Sequence, residues 1–133
     1  MRVICVSESG DALPASALDS AMGIRRDDTF DVSVGEEYTV YAITILKGHC
    51  WYFVFDRTSA DYPKWNPAAL FEVSDPSLPA SWVFGYIRVP GREEYPVISF
   101  PEWALDGHFY ERLVDGFGDA TDTFASRRIE AEA

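Results

Sequence analysis

The sequence predicts an α+β fold: a small antiparallel β-barrel with C-terminal helices packed on it. Three observations point there. Short runs of β-branched and aromatic residues recur through residues 1–100, separated by Gly, Pro and Asp clusters, the pattern of antiparallel strands and turns. Residues 38–56, YTVYAITILKGHCWYFVFD, read as two strands joined at Lys47-Gly48-His49 and apolar on both faces, as strands covered from both sides are. From Pro101 onward apolar residues recur at helical spacing. The 133 residues are enough for one domain with a substantial core, divided into a mainly β part, 1–100, and a helical extension, 101–133.

In chain order, Arg2 to Val6 reads as the opening strand and Ser7 to Leu13 as a turn. Pro14 to Met22 reads as a short helix, with proline in its first turn, Leu18 and Met22 on one face and Gly23 at its end. Residues 25–29 form a charged link before the central hairpin, Tyr38 to Leu46 and Cys50 to Phe55. Residues 56–69, DRTSADYPKWNPAA, read as a long polar and aromatic connection. Three further strands follow at Ala69–Val73, Trp82–Val89 and Tyr95–Phe100. Gly85 marks a bulge or bend in the second of these, and Pro96 places the third at a sheet edge. Pro101 starts a helical turn, Asp106 caps a helix reaching Val114, and Asp115 to Gly118 break it. Asp119 caps a last helix whose thin apolar face is Phe124 and Ile129, fraying at Glu130 to Ala133.

Charge bounds the partners. Twenty-two acidic residues against eleven basic ones leave a net charge of −11. Such a chain is repelled by nucleic-acid phosphates and by anionic membrane surfaces. Two readings of the acidity stay open: solubility alone, or docking onto a basic protein. Hydrophobic residues at 47% exclude the disordered class. No apolar run approaches the roughly 20 residues of a membrane span, and the N-terminal apolar run is too short for a signal peptide, so a cytoplasmic location is expected. Cys5 and Cys50 read as reduced, apolar strand residues, with a bridge open only if their strands pair.

The order of the first half resembles the SH3-like barrels of small bacterial and phage proteins. The resembling segments are Val3-Ile4-Cys5-Val6, the Val34-Gly35-Glu36-Glu37-Tyr38-Thr39-Val40 lead into the second strand, Trp51 to Asp56, and Leu70-Phe71-Glu72-Val73. They span residues 1–73, and the chain from Ser81 onward exceeds a minimal barrel. The resemblance implies a fold more than a function, since such barrels host peptide binding, nucleic-acid binding and structural roles.

No motif carries a catalytic signature. His49 and His108 belong to no metal spacing, and residues 115–122 fail the calcium-loop pattern. Ser81, Ser99, Asp106 and His108 lack the framing of a nucleophile elbow, and Glu36-Glu37 and Glu93-Glu94 diverge if extended. No cofactor or metal is expected. Asp56, Asp61, Tyr62 and Trp65 in the 56–69 connection are the candidate binding residues, because aromatic groups beside charge on a loop suit an interface hot spot. The alternative is that Tyr62 and Trp65 plug one end of the barrel. The expected function is a non-enzymatic, acidic protein-binding module, in one concrete form an immunity-type protein that neutralises a basic bacterial toxin. A phage accessory protein would share these features; a small hydrolase using Asp56, Asp61 and His49 is the alternative.

Overall fold

The computed structural model describes residues 1–18 and 24–133. Its strands are β1 (Arg2–Cys5), β2 (Glu37–Thr39), β3 (Ala42–Leu46), β4 (His49–Val54), β5 (Lys64–Pro67), β6 (Phe71–Asp75), β7 (Val83–Ile87) and β8 (Tyr95–Ser99). The α-helices are α1 (Pro101–Ala104), α2 (Phe109–Val114) and α3 (Gly118–Glu132). Among the described residues no helix is long and apolar enough to cross a membrane.

The barrel does not form. The strands sort into two open sheets, one of three strands in the order β2-β1-β6 and one of five in the order β5-β4-β3-β8-β7. The stretch from Tyr38 to Leu46, expected as one strand, changes sheet in its middle. The Val40 amide donates to the Met1 carbonyl at 3.0 Å, and the next amide, of Tyr41, donates to Phe53 at 2.9 Å. Closure would require the end strands to pair, but β8 occupies the side of β3 away from β4, with Thr44 opposite Val97. The two sheets instead share a cluster that includes Val3, Cys5 and Tyr38 from one and Trp51 and Val54 from the other. The arrangement is closer to a partly open sandwich.

The β3–β4 hairpin follows its local chemistry. Lys47 and Gly48 both take positive φ, 50° and 79°, the type I′ geometry whose twist suits a two-residue hairpin. Three other expectations change, while the reduced state expected of the two cysteines is what the structure shows. Pro96 lies in β8, between β3 and β7, and not at an edge. It fits because the β3–β8 pairing stops at Thr44–Val97, and the Pro96 carbonyl accepts from Thr44 Oγ1 at 2.8 Å. Gly85 marks no bulge, since the β7–β8 register runs unbroken. It allows α1 to approach β7: a Cβ there would lie 1.6 Å from the Ala104 carbonyl oxygen. The expected helix from Pro14 is a single 3₁₀ turn at Ala15–Ala17, and its continuation through Met22 and Gly23 falls outside the described residues. Cys5 and Cys50 sit in different sheets as free thiols.

The helices cover the other face of the five-stranded sheet. Ala42, Phe53, Ile87 and Val97 from the strands pack with Phe100, Trp103, Phe109, Leu113 and Phe124. His108, not Asp106, is the N-cap of α2. Asp106 sits two residues earlier and ties the approach to the helix, accepting from the His108 amide at 2.9 Å and from Arg112 at 3.0 Å. Phe117, not Asp119, is the N-cap of α3. The buried stripe of α3 is Ala120, Phe124 and Ala131, while Ile129 is 75% exposed. Its last turn is held: the Tyr41 hydroxyl donates to Glu132 at 2.8 Å, and Arg128 donates to the same carboxylate at 2.7 Å. Those bonds oppose the fraying expected of a terminus.

Candidate binding site

The 56–69 connection is partly a strand. Lys64–Pro67 pairs with β4 as the sheet edge, setting Trp65 opposite Phe53 and Asn66 opposite Tyr52. Lys-Trp-Asn-Pro neither alternates nor favours strands; its neighbour imposes the conformation, and Pro67 is tolerated at the edge. The consequence for the site is rigidity, because Trp65 stands on a sheet rather than on a free loop.

Asp56 lies two residues beyond β4 and organises the turn there. One of its oxygens accepts from the Thr58 amide at 2.8 Å, the Thr58 hydroxyl at 2.7 Å and the Ser59 hydroxyl at 3.0 Å, the bonding of an Asx turn. Burial pushes its pKa up, but these bonds and one from Asn66 outweigh it and hold the carboxyl below its ordinary value. The Arg57 amide donates to the Asp31 carbonyl at 2.8 Å and fastens the segment around Asp31 to this turn.

Asp56, Tyr62 and Trp65 come together on a shallow hollow of about 500 Å³, joined by Asp31, Lys64 and Tyr110. Asp61 is exposed and does not line it. Tyr62 meets Tyr110 edge-on at 6.2 Å, and the Tyr110 hydroxyl donates to the Pro63 carbonyl at 2.8 Å. Burial raises the Tyr110 hydroxyl pKa, with a smaller contribution from Tyr62. Lys64 donates to the Thr58 hydroxyl at 2.9 Å, so the cation is tied to the turn. Trp65 is 49% exposed, with its ring 6.1 Å from Phe53 and 5.8 Å from Trp51. Tyr62 and Trp65 plug no barrel, because none exists; both belong to the rim of an open hollow.

Tyr110 and Val114 also line the hollow. Their i,i+4 spacing shows in the sequence but reads there as an ordinary apolar helix face, since nothing local ties Tyr110 to Pro63. The hydrolase constellation is not assembled: His49 and Asp56 stand at opposite ends of β4, roughly 20 Å apart at about 3.3 Å per residue. Among the described residues no three His, Cys, Asp or Glu side chains gather as a metal-holding group. Chemically the hollow offers an exposed indole, two phenols and carboxylates, a recognition surface. No protein-family model, curated protein or solved structure matches the chain.

Proposed function

We propose that this protein is a non-enzymatic binding module that docks a basic protein through the hollow around Trp65. The observation that carries this reading is the half-exposed Trp65 ring, fixed on a sheet edge beside Asp31 and Asp56. Trp and Tyr dominate interface hot spots because they bury a large area at little entropic cost. The net charge of −11 would steer a basic partner and turn away nucleic acid. In its concrete form the partner is a basic bacterial toxin, and the protein acts as its immunity-type antagonist by covering the toxin's basic surface.

Affinity capture from the native host tests this, with wild-type protein and Trp65→Ala immobilised side by side. The reading expects a basic protein retained by the wild type at low salt, released as salt rises, and lost from the Trp65→Ala matrix. Equal retention by both matrices, or no basic protein on either, would overturn it.

A further inference from the structure

A second hollow lies on the other side of Trp65, between the helices and the five-stranded sheet, with a volume of about 310 Å³. That is the lower end of the size at which small molecules are held. Its floor is Thr44, Phe53 and Val97, each at most 6% exposed. Trp103 and Tyr110, stacked at 5.3 Å and 17°, form one wall, and Trp65 and Tyr95 line it as well. Two of the hydroxyls that line it already have partners. The Thr44 hydroxyl donates to Pro96 and the Tyr110 hydroxyl to Pro63, each at 2.8 Å. A ligand against Thr44, Phe53, Val97 and the Trp103–Tyr110 wall therefore meets mainly ring faces and methyl groups.

The mouth is charged. Arg92, in the turn between β7 and β8, pairs with Glu111 of α2, and Glu93 also lines the opening. Among the described residues Glu93 has no ion-pair partner, and Glu111 is shared with His108 Nδ1 at 3.6 Å. Two carboxylates thus face one guanidinium that is already engaged. An anionic ligand would meet uncompensated negative charge, and a neutral one would gain nothing there. A cation gains from the carboxylates and from the electron-rich ring faces.

We infer that this second hollow binds a small organic cation with a flat apolar body, of the arylalkylammonium class. The body lies on the Phe53, Trp103 and Tyr110 side, and the ammonium sits at the mouth beside Glu93. This site is distinct from the protein-docking surface, though Trp65 and Tyr110 line both.

The test titrates the intact protein with 2-phenylethylammonium, the neutral 2-phenylethanol and the anionic 3-phenylpropionate, following indole fluorescence and backbone amide shifts. The expected result is saturable binding of the amine, about five- to tenfold tighter than the alcohol, with the carboxylate weakest and shifts centred on Trp65, Trp103 and Tyr110. Glu93→Gln, a surface change, is expected to shrink the amine's advantage several-fold and leave the alcohol unchanged. Alcohol binding as tight as the amine, preference for the carboxylate, or no saturable response to the amine would overturn the inference. So would Glu93→Gln weakening amine and alcohol alike. No protein partner enters any of these measurements.

Discussion

The two faces of the five-stranded sheet are filled with different chemistry. Toward the three-stranded sheet the buried side chains are largely branched aliphatics, among them Val3, Val32, Val40, Val54 and Leu70. Toward the helices six rings are buried, Tyr41, Phe53, Phe100, Trp103, Phe109 and Phe124, among smaller side chains such as Ala42, Ala104 and Ala120. Aliphatic side chains interdigitate and leave few voids. Rings prefer edge-on and offset contacts, as Phe53 makes with Trp103 at 74° and Phe100 with Phe109 at 85°. Plates meeting at steep angles leave wedge-shaped gaps. The second hollow opens within the ring layer, and Trp65 extends that layer to the surface. The aliphatic layer is a foundation, and the aromatic layer is where a ligand can be received.

The largest effects should come from testing whether both layers are true cores. Phe109→Ala is expected to cost about 3–5 kcal/mol and Leu70→Ala about 2–5 kcal/mol in urea unfolding, since both side chains are fully buried. A cost below about 1 kcal/mol for Phe109→Ala would break the comparison, because the ring layer would then be a loose cover.

The next effect is alkaline and reads the buried phenols of the ring layer. Tyr41 and Tyr110 belong to the ring layer, and burial raises both hydroxyls above the ordinary tyrosine value, aided by Glu132 for Tyr41. A pKa raised on folding gives stability that is complete below the unfolded value, about 10, and is lost as pH rises from there toward the folded value. Stability should therefore fall above about pH 10, and Tyr41→Phe with Tyr110→Phe should flatten that fall. An unchanged slope in the double variant would show that these phenols are not what titrates.

A smaller effect is expected at the turn that supports the docking hollow. Asp56→Ala removes three hydrogen bonds and should cost about 1–2 kcal/mol. Because the Asp56 carboxyl titrates below its ordinary value, its contribution is complete above about pH 4 and lost as pH falls through the folded value. Wild type should thus lose more stability than Asp56→Ala between neutral pH and pH 3. Parallel acid curves would remove Asp56 as the anchor of the turn.

The smallest stability effect, and the one that most sharpens the division, belongs to Trp65. Its ring is half outside the fold, so Trp65→Ala should lower stability by no more than about 1 kcal/mol while removing ligand recognition. A loss as large as that of Phe109→Ala would make Trp65 a core residue rather than a receiving surface.

Much of this architecture is legible in the sequence. The tight connection at Lys47-Gly48-His49, the β-branched and aromatic runs of β1, β7 and β8, and the Pro101 signal at the start of α1 are local, and local chemistry produced those elements. The grouping of Asp56, Tyr62 and Trp65 was also visible, as charge and aromatic rings crowded into one connection. Strand β5 was not, because Lys-Trp-Asn-Pro is extended only through hydrogen bonds to β4. Tyr110 was not, because its partner Pro63 lies 47 residues away.

By itself the sequence determined the acidity, the kinds of element, and a central hairpin apolar on both faces. Tertiary structure alone decided which strands share a sheet, that the sheets stay open, that Pro96 sits in a sheet interior, and that rings enclose a hollow beside Trp65. The physical reason is that period and turn chirality are properties of a few consecutive residues. Pairing is a competition among distant edges with the same hydrogen-bonding pattern. Here β8 won the edge of β3, and the barrel was lost with it.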